Sequence, residues 1–227
     1  MTVLAFFGCA LTAYSPALAL FTITIAKDPV RVIILILRLD SNTNSVFLRF
    51  NFVSIHNFSA FFWLLSLLFS SILWFAVVPL REQLAFGLVF SIFFQELFRY
   101  GLWVLVSKAD AYLKKLTENE ATKMFENPHI LSYVVGLGFG MMSGAFSLVN
   151  VLADSVGPGT VGFNGEPQDF FMISAISCMA MILLHMFWGM IAFDALAKRR
   201  WANLIYVWTS HLFVSCMVST KQWKVNN

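Results

Sequence analysis

The stretch "FFQELFRY", residues 93 to 100, places Gln95, Glu96 and Arg99 inside a long apolar run. Glu96 and Arg99 are three apart, so on a helix they share a face and can pair. Two imidazoles lie in other apolar runs, His185 in "LLHMFWG" and His211 in "TSHLF". Acid, base and hydrogen-bonding chemistry are all available to such a set. Several familiar reactions are not supported by the spacing. No HExxH pattern is present for zinc hydrolysis. Ser143 and His185 could form a nucleophile and base, but no triad spacing supports them. Asp154 and Asp194 fall at opposite ends of their segments and could not share a proton as an aspartyl protease requires. Cys9, Cys178 and Cys216 each sit in an apolar run with no CxxC neighbour, so they read as small packing residues. No metal or cofactor is expected.

The elements that carry these residues follow from composition. The chain has 227 residues, of which 59% are hydrophobic and 12% charged. Soluble domains average about 25% charged residues, so this chain has too few charges to clothe a water-soluble surface. The charges cluster between long apolar runs, the pattern of a multi-span membrane protein in a lipid bilayer. Nothing in it suggests a nucleic-acid partner. The expected fold is an all-α polytopic transmembrane helix bundle, a single integral membrane domain over 1–227. Its six spans are placed at about 2–26, 60–80, 84–106, 131–152, 170–193 and 203–220. A short run, "VIILIL", covers 32–37. The first segment lacks a basic leader and is too long for a signal peptide, so it is kept as a span despite "ALA" at 17–19.

Orientation follows from lysine and arginine. With the N-terminus outside, the inner connections hold Lys27, Arg31, Arg38, Arg49, Lys108, Lys114, Lys115, Lys123, Lys198, Arg199 and Arg200. The outer regions hold Arg81, Lys221 and Lys224. Eleven against three is a strong positive-inside bias. The N-terminus is therefore expected to be lumenal or extracellular, with 38–59 exposed to the cytosol.

At a rise of 1.5 Å per residue, Glu96, Arg99, His185 and His211 all fall roughly 10 to 15 Å from the cytosolic end. Polar groups at that depth are costly and face a protein interior or wet cavity. A shared polar layer is the expectation, with four separately satisfied residues as the plain alternative.

The same depth holds glycines. In "SYVVGLGFGMMSGAFSLVN", Gly136, Gly140 and Gly144 recur every fourth residue and form one stripe on a helix. The stretch superficially suggests a nucleotide loop, but that motif needs a preceding strand and a water-accessible phosphate site. Inside a membrane span, such a stripe permits close approach of another helix. Chance is the competing explanation, since glycine is common in membrane helices.

These segments carry a resemblance. "FFGCALTAYSPALALFTITIAKDPVRVIILI", "AFFWLLSLLFSSILWF", "FQELFRY", "YVVGLGFGMMSGAFSLVNVLADSVGPGTVG" and "ILLHMFWGMIAFDA" closely resemble the anterior-pharynx-defective (Aph-1) subunit of gamma-secretase, over residues 1–37 and 60 to about 215. The resemblance implies a non-catalytic scaffold in a protease complex of the endoplasmic reticulum, Golgi and plasma membrane. Implied partners are nicastrin, presenilin with its catalytic aspartates, and presenilin enhancer. Implied substrates are single-span proteins such as Notch and amyloid precursor protein. The family's GxxxG assembly motif falls on Gly136, Gly140 and Gly144, which then read as a subunit-packing surface. Its two intramembrane histidines fall on His185 and His211. Two departures are expected: an insertion at 38–59, resembling a retained intron or alternative exon, and absence of the family's seventh span. A different class, an independent channel or transporter using the polar layer, is the alternative, although no paired internal repeat supports it.

Overall fold

The computed structural model describes residues 3–24, 43–77, 84–116, 128–156 and 170–226. The described residues form six helices: α1 (Val3–Thr24), α2 (Thr43–Ala76), α3 (Leu84–Leu116), α4 (Pro128–Val156), α5 (Phe170–Ala197) and α6 (Trp201–Asn226). Each contains a stretch long and apolar enough to cross a membrane. These stretches are Phe6–Thr24, Ile55–Ala76, Phe86–Lys108, His129–Val149, Phe171–Ala197 and Trp201–Val218. With no water at that depth, a backbone must satisfy its polar groups internally, and a helix does so within one segment.

The second helix departs most from expectation. The sequence places its start near Ala60 and treats 38–59 as an exposed connection. Instead α2 begins at Thr43, and its membrane-length stretch begins at Ile55. His56 and Ser59 are buried. The ring of His56 packs 5.1 Å from that of Phe21 in α1. The physical reason lies in the pattern: Phe47, Phe50, Phe58 and Phe61 fall at helical spacing, and no Gly or Pro interrupts 43–76. The helix stops at Ala76 rather than Leu80. Pro79 lies just beyond, and the residue before a proline is disfavoured in helical conformation. Residues 38–42 lie outside the described part.

By internal contacts the chain divides into two compact units. The first takes in Met1–Phe58 and Tyr133–Met186, the second Ser59–Ser132 and Phe187–Asn227. In the first unit, Cys9, Ala13 and Ala17 form a stripe of small residues along α1, all buried. They belong to one core with Val134, Leu137 and Leu148 of α4 and with Phe171, Ala175, Cys178, Ile182 and Met186 of α5. Tyr14 donates its hydroxyl to the carbonyl of Met141 at 3.1 Å, fastening α1 to α4. In the second unit, aromatic rings join the helices. Phe98 of α3 lies 6.0 Å from Phe62 and 5.4 Å from Phe69 of α2. Phe93 of α3 meets Trp208 of α6 edge-on at 5.6 Å. Such pairs contribute about 0.5–1.5 kcal/mol beyond area burial.

The α5–α6 corner is tight. Arg200 donates its N–H to the carbonyl of Ala195 at 2.8 Å, and Arg199 donates to Leu196 at 3.4 Å. This is a Schellman closure, with Arg199 at the position after the helix cap. Its φ is 54°, left-handed, where glycine is the usual occupant.

Candidate functional site

Two arrangements combine the residues singled out by the sequence. The first is an ion-pair network in the second unit. Glu96 and Arg99 occupy one face of α3, and His211 projects from α6. Arg99 donates from one guanidinium nitrogen to both carboxylate oxygens of Glu96, at 2.5 and 2.7 Å. His211 places Nδ1 2.7 Å from Oε1 of the same carboxylate. An ionised carboxylate only accepts, so Nδ1 must carry the hydrogen in this bond. On the other side of the imidazole, Trp188 of α5 stacks at 4.3 Å with the planes 27° apart. All four side chains are buried: Glu96 at 5% exposure, Arg99 and His211 at 1%, Trp188 at 3%.

That enclosure decides what the group can do. An isolated charge so placed would cost several kcal/mol, and pairing offsets this only when the geometry is good and further hydrogen bonds complete it. Here one carboxylate accepts from a guanidinium and an imidazole. The network thus joins α3 to α6 through a charge-assisted bond. Next to it, Gln95 donates to the Ser91 hydroxyl at 3.3 Å.

His185 was expected to share this layer. It belongs to the first unit, where it is buried at 1% exposure beside Met186 on α5. The structure brings together Glu96, Arg99 and His211. Trp188 was missed, because a tryptophan in a membrane segment carries no signal of which ring it covers. Among the described residues, no group of three or more His, Cys, Asp or Glu is placed to hold a metal ion.

The second arrangement is a seam in the first unit. The stripe Gly136, Gly140 and Gly144 of α4 meets Met186, Ile182 and Cys178 of α5, so each step of four along one helix matches a step of four back along the other. A Cβ on Gly136 would fall 2.6 Å from the Met186 carbonyl oxygen and 2.9 Å from its Cα. On Gly140 it would collide with the carbonyl oxygen of Ile182 and lie 3.2 Å from its carbonyl carbon and Cα. On Gly144 it would fall 2.6 Å from the Ile182 side chain. The Cys178 thiol lies 3.4 Å from the Gly144 carbonyl and donates to it. The stripe marks a close helix–helix contact, and within this chain α5 fills it. Periodicity identified a close-contact face, and the face is internal. Gly138, two residues from Gly140, is buried as well.

The family described as Aph-1 protein matches residues 4–40 and 52–226. The chain belongs to the Aph-1 family. It is 46% identical to "Gamma-secretase subunit Aph-1b" of Danio rerio, over 96% of this chain and 79% of that protein. Identity to "Gamma-secretase subunit Aph-1" of Drosophila melanogaster is 48%, over 95% and 80%. Identity to "Gamma-secretase subunit APH-1B" of Homo sapiens is 42%, over 95% and 78%. With six membrane-length helices among its described residues, this Aph-1 chain is a multi-pass membrane protein. The family match narrows the expected insertion. Within 38–59 only 41–51 fall outside it, and residues 52–59 match the family. The match also continues through the last residues of α6, to 226.

Proposed function

We propose that this chain is a non-catalytic scaffold subunit of gamma-secretase, holding presenilin and nicastrin in the complex that presenilin enhancer completes. The complex cleaves single-span proteins such as Notch and amyloid precursor protein. It works in the endoplasmic reticulum, Golgi and plasma membrane, with the chain's N-terminus on the lumenal side. The observation that carries this reading is near-full-length identity of 42–48% to proteins named gamma-secretase subunits.

The geometry supports a structural role. Glu96, the buried carboxylate, is already engaged by Arg99 and His211. A carboxylate so neutralised is a poor partner for the shared proton of an aspartyl mechanism. The glycine seam brings two backbones into contact and leaves no room for a substrate between them. Both features fix helices in place, which is what a partner subunit needs in order to dock repeatedly in one orientation.

Complementation tests the proposal. In cells lacking their own Aph-1 proteins, expression of this chain should restore release of the Notch intracellular fragment. Normal membrane insertion with no restored cleavage would refute it.

A further inference from the structure

At the α5–α6 corner, a cavity of about 290 Å³ opens between α3 and the start of α6. Its lining includes Tyr100 and Trp103 of α3, Arg199 and Arg200 of the corner, and Trp201 and Leu204 of α6. We propose that this cavity binds the phosphate headgroup of an anionic glycerophospholipid, with Arg199 and Arg200 as the phosphate ligands.

Position is the first argument. The membrane-length stretches end at Ala197 and resume at Trp201, so the two arginines stand at the polar boundary between two spans. The positive-inside bias assigns this end to the cytosol, where anionic lipids concentrate and where basic pockets between helices take lipid headgroups.

Charge is the second. Among the described residues lining the cavity, none carries a carboxylate. The nearby Asp194 lies within electrostatic range of Arg200, but its oxygen is engaged by Lys198 at 2.5 Å and it lines a neighbouring cavity. Arg199 and Arg200 both line the cavity and are exposed. Arginine's planar fork matches phosphate oxygens two at a time.

The aromatic residues form the third. Tyr100 and Trp103 stack with centroids 6.0 Å apart, and Trp201 is 67% exposed. Amphipathic rings at headgroup level are the usual membrane-interface anchors. They give glycerol and upper acyl carbons an apolar wall below the arginines.

The backbone supplies the fourth. Arg199 holds the left-handed conformation at a position where glycine closes the helix with less strain. An arginine kept there at a backbone cost implies a use for its side chain.

This last point yields a clean variant. Arg199→Gly removes the guanidinium while easing the turn, so lost binding cannot be blamed on a damaged corner. The full chain, purified in detergent and stripped of lipid, would be titrated with phosphatidylserine or phosphatidylcholine, and bound lipid counted by native mass spectrometry. Phosphatidylserine should bind preferentially. Arg199→Gly should weaken it about fivefold, and Arg199→Gly with Arg200→Ala about thirtyfold. Replacing Lys114 and Lys115 with Ala removes two cations elsewhere and should leave binding unchanged. Equal binding of phosphatidylcholine, equal loss in the lysine variant, or undiminished binding in the arginine variants would each overturn the proposal. So would displacement of the lipid by inorganic phosphate at equal concentration, which would mark a free-anion site. If the double variant does not accumulate, Arg199→Gly alone decides.

Discussion

Gly136→Ala adds one methyl group to the α4–α5 seam. That carbon would lie 2.6 Å from the carbonyl oxygen of Met186, where ordinary contact begins at 3.4 Å. The obstacle is backbone, so no rotamer change relieves it. α5 must recede by about 0.8 Å, the difference between those distances. A gap of 0.5–1 Å forfeits a quarter to a half of each dispersion well along the interface. Lipid supplies no hydrophobic penalty that would press the helices back together. Overpacking of this kind costs about 1–3 kcal/mol, and Gly140→Leu, with a larger side chain against the Ile182 carbonyl, should exceed it. Insertion should survive in both, since apolar side chains are favourable in a span. The assay is the denaturant midpoint of the purified full chain in mixed micelles, with Gly8→Ala as control, because a Cβ at Gly8 meets nothing within 4 Å. If Gly136→Ala unfolds at the same midpoint as Gly8→Ala, the seam does not hold α4 to α5 and the reasoning fails.

Three further outcomes follow from the polar network and the insertion. Arg99→Leu leaves Glu96 buried beside only an imidazole and should cost about 3–5 kcal/mol. Adding Glu96→Gln should recover part of that, and a double-mutant cycle with no coupling would contradict the pairing. His211→Ala removes the donor to Glu96 and should destabilise by about 1–3 kcal/mol. His211→Asn, whose amide can donate from a similar place, should lose less, and equal losses would argue against the hydrogen bond as the cause. Deleting 41–51, the part of 38–59 outside the family match, should leave accumulation in the membrane unchanged, because the membrane-length part of α2 starts at Ile55. Loss of the inserted protein on quantitative blotting would contradict this.

What could be read in advance divides along physical lines. Apolar length reports burial in lipid, so all six helices were visible as runs of Phe, Leu, Val and Ile. Their ends were less so, because a helix can continue past the membrane boundary, as α2 does back to Thr43 and α3 does on to Leu116. Local pairing was legible: Glu96 and Arg99 are one turn apart and meet. Pairing between helices was not, because spacing within a segment carries no information on register against another. A common depth pointed to Glu96, Arg99 and His211 as one layer, but the bond from His211 to Glu96 and the stacking of Trp188 were beyond reach for that reason. The glycine stripe sits between these cases. A period of four revealed that something approaches closely, and only the structure identifies Met186, Ile182 and Cys178 as what does. The α1 stripe of Cys9, Ala13 and Ala17 has the same period and the same meaning. It went unread because alanine is too common in apolar segments to stand out. Arg199 ran against the pattern, since a helix stop of this kind normally carries glycine.

The central claim is that this Aph-1 chain is built into a protease complex and does not act alone. An affinity-tagged copy, expressed at native level and extracted in a detergent mild enough to preserve membrane assemblies, tests it most directly. Presenilin and nicastrin should elute with the chain in comparable molar amounts and remain with it through size-exclusion chromatography. A correctly inserted chain that elutes without either protein would contradict the account.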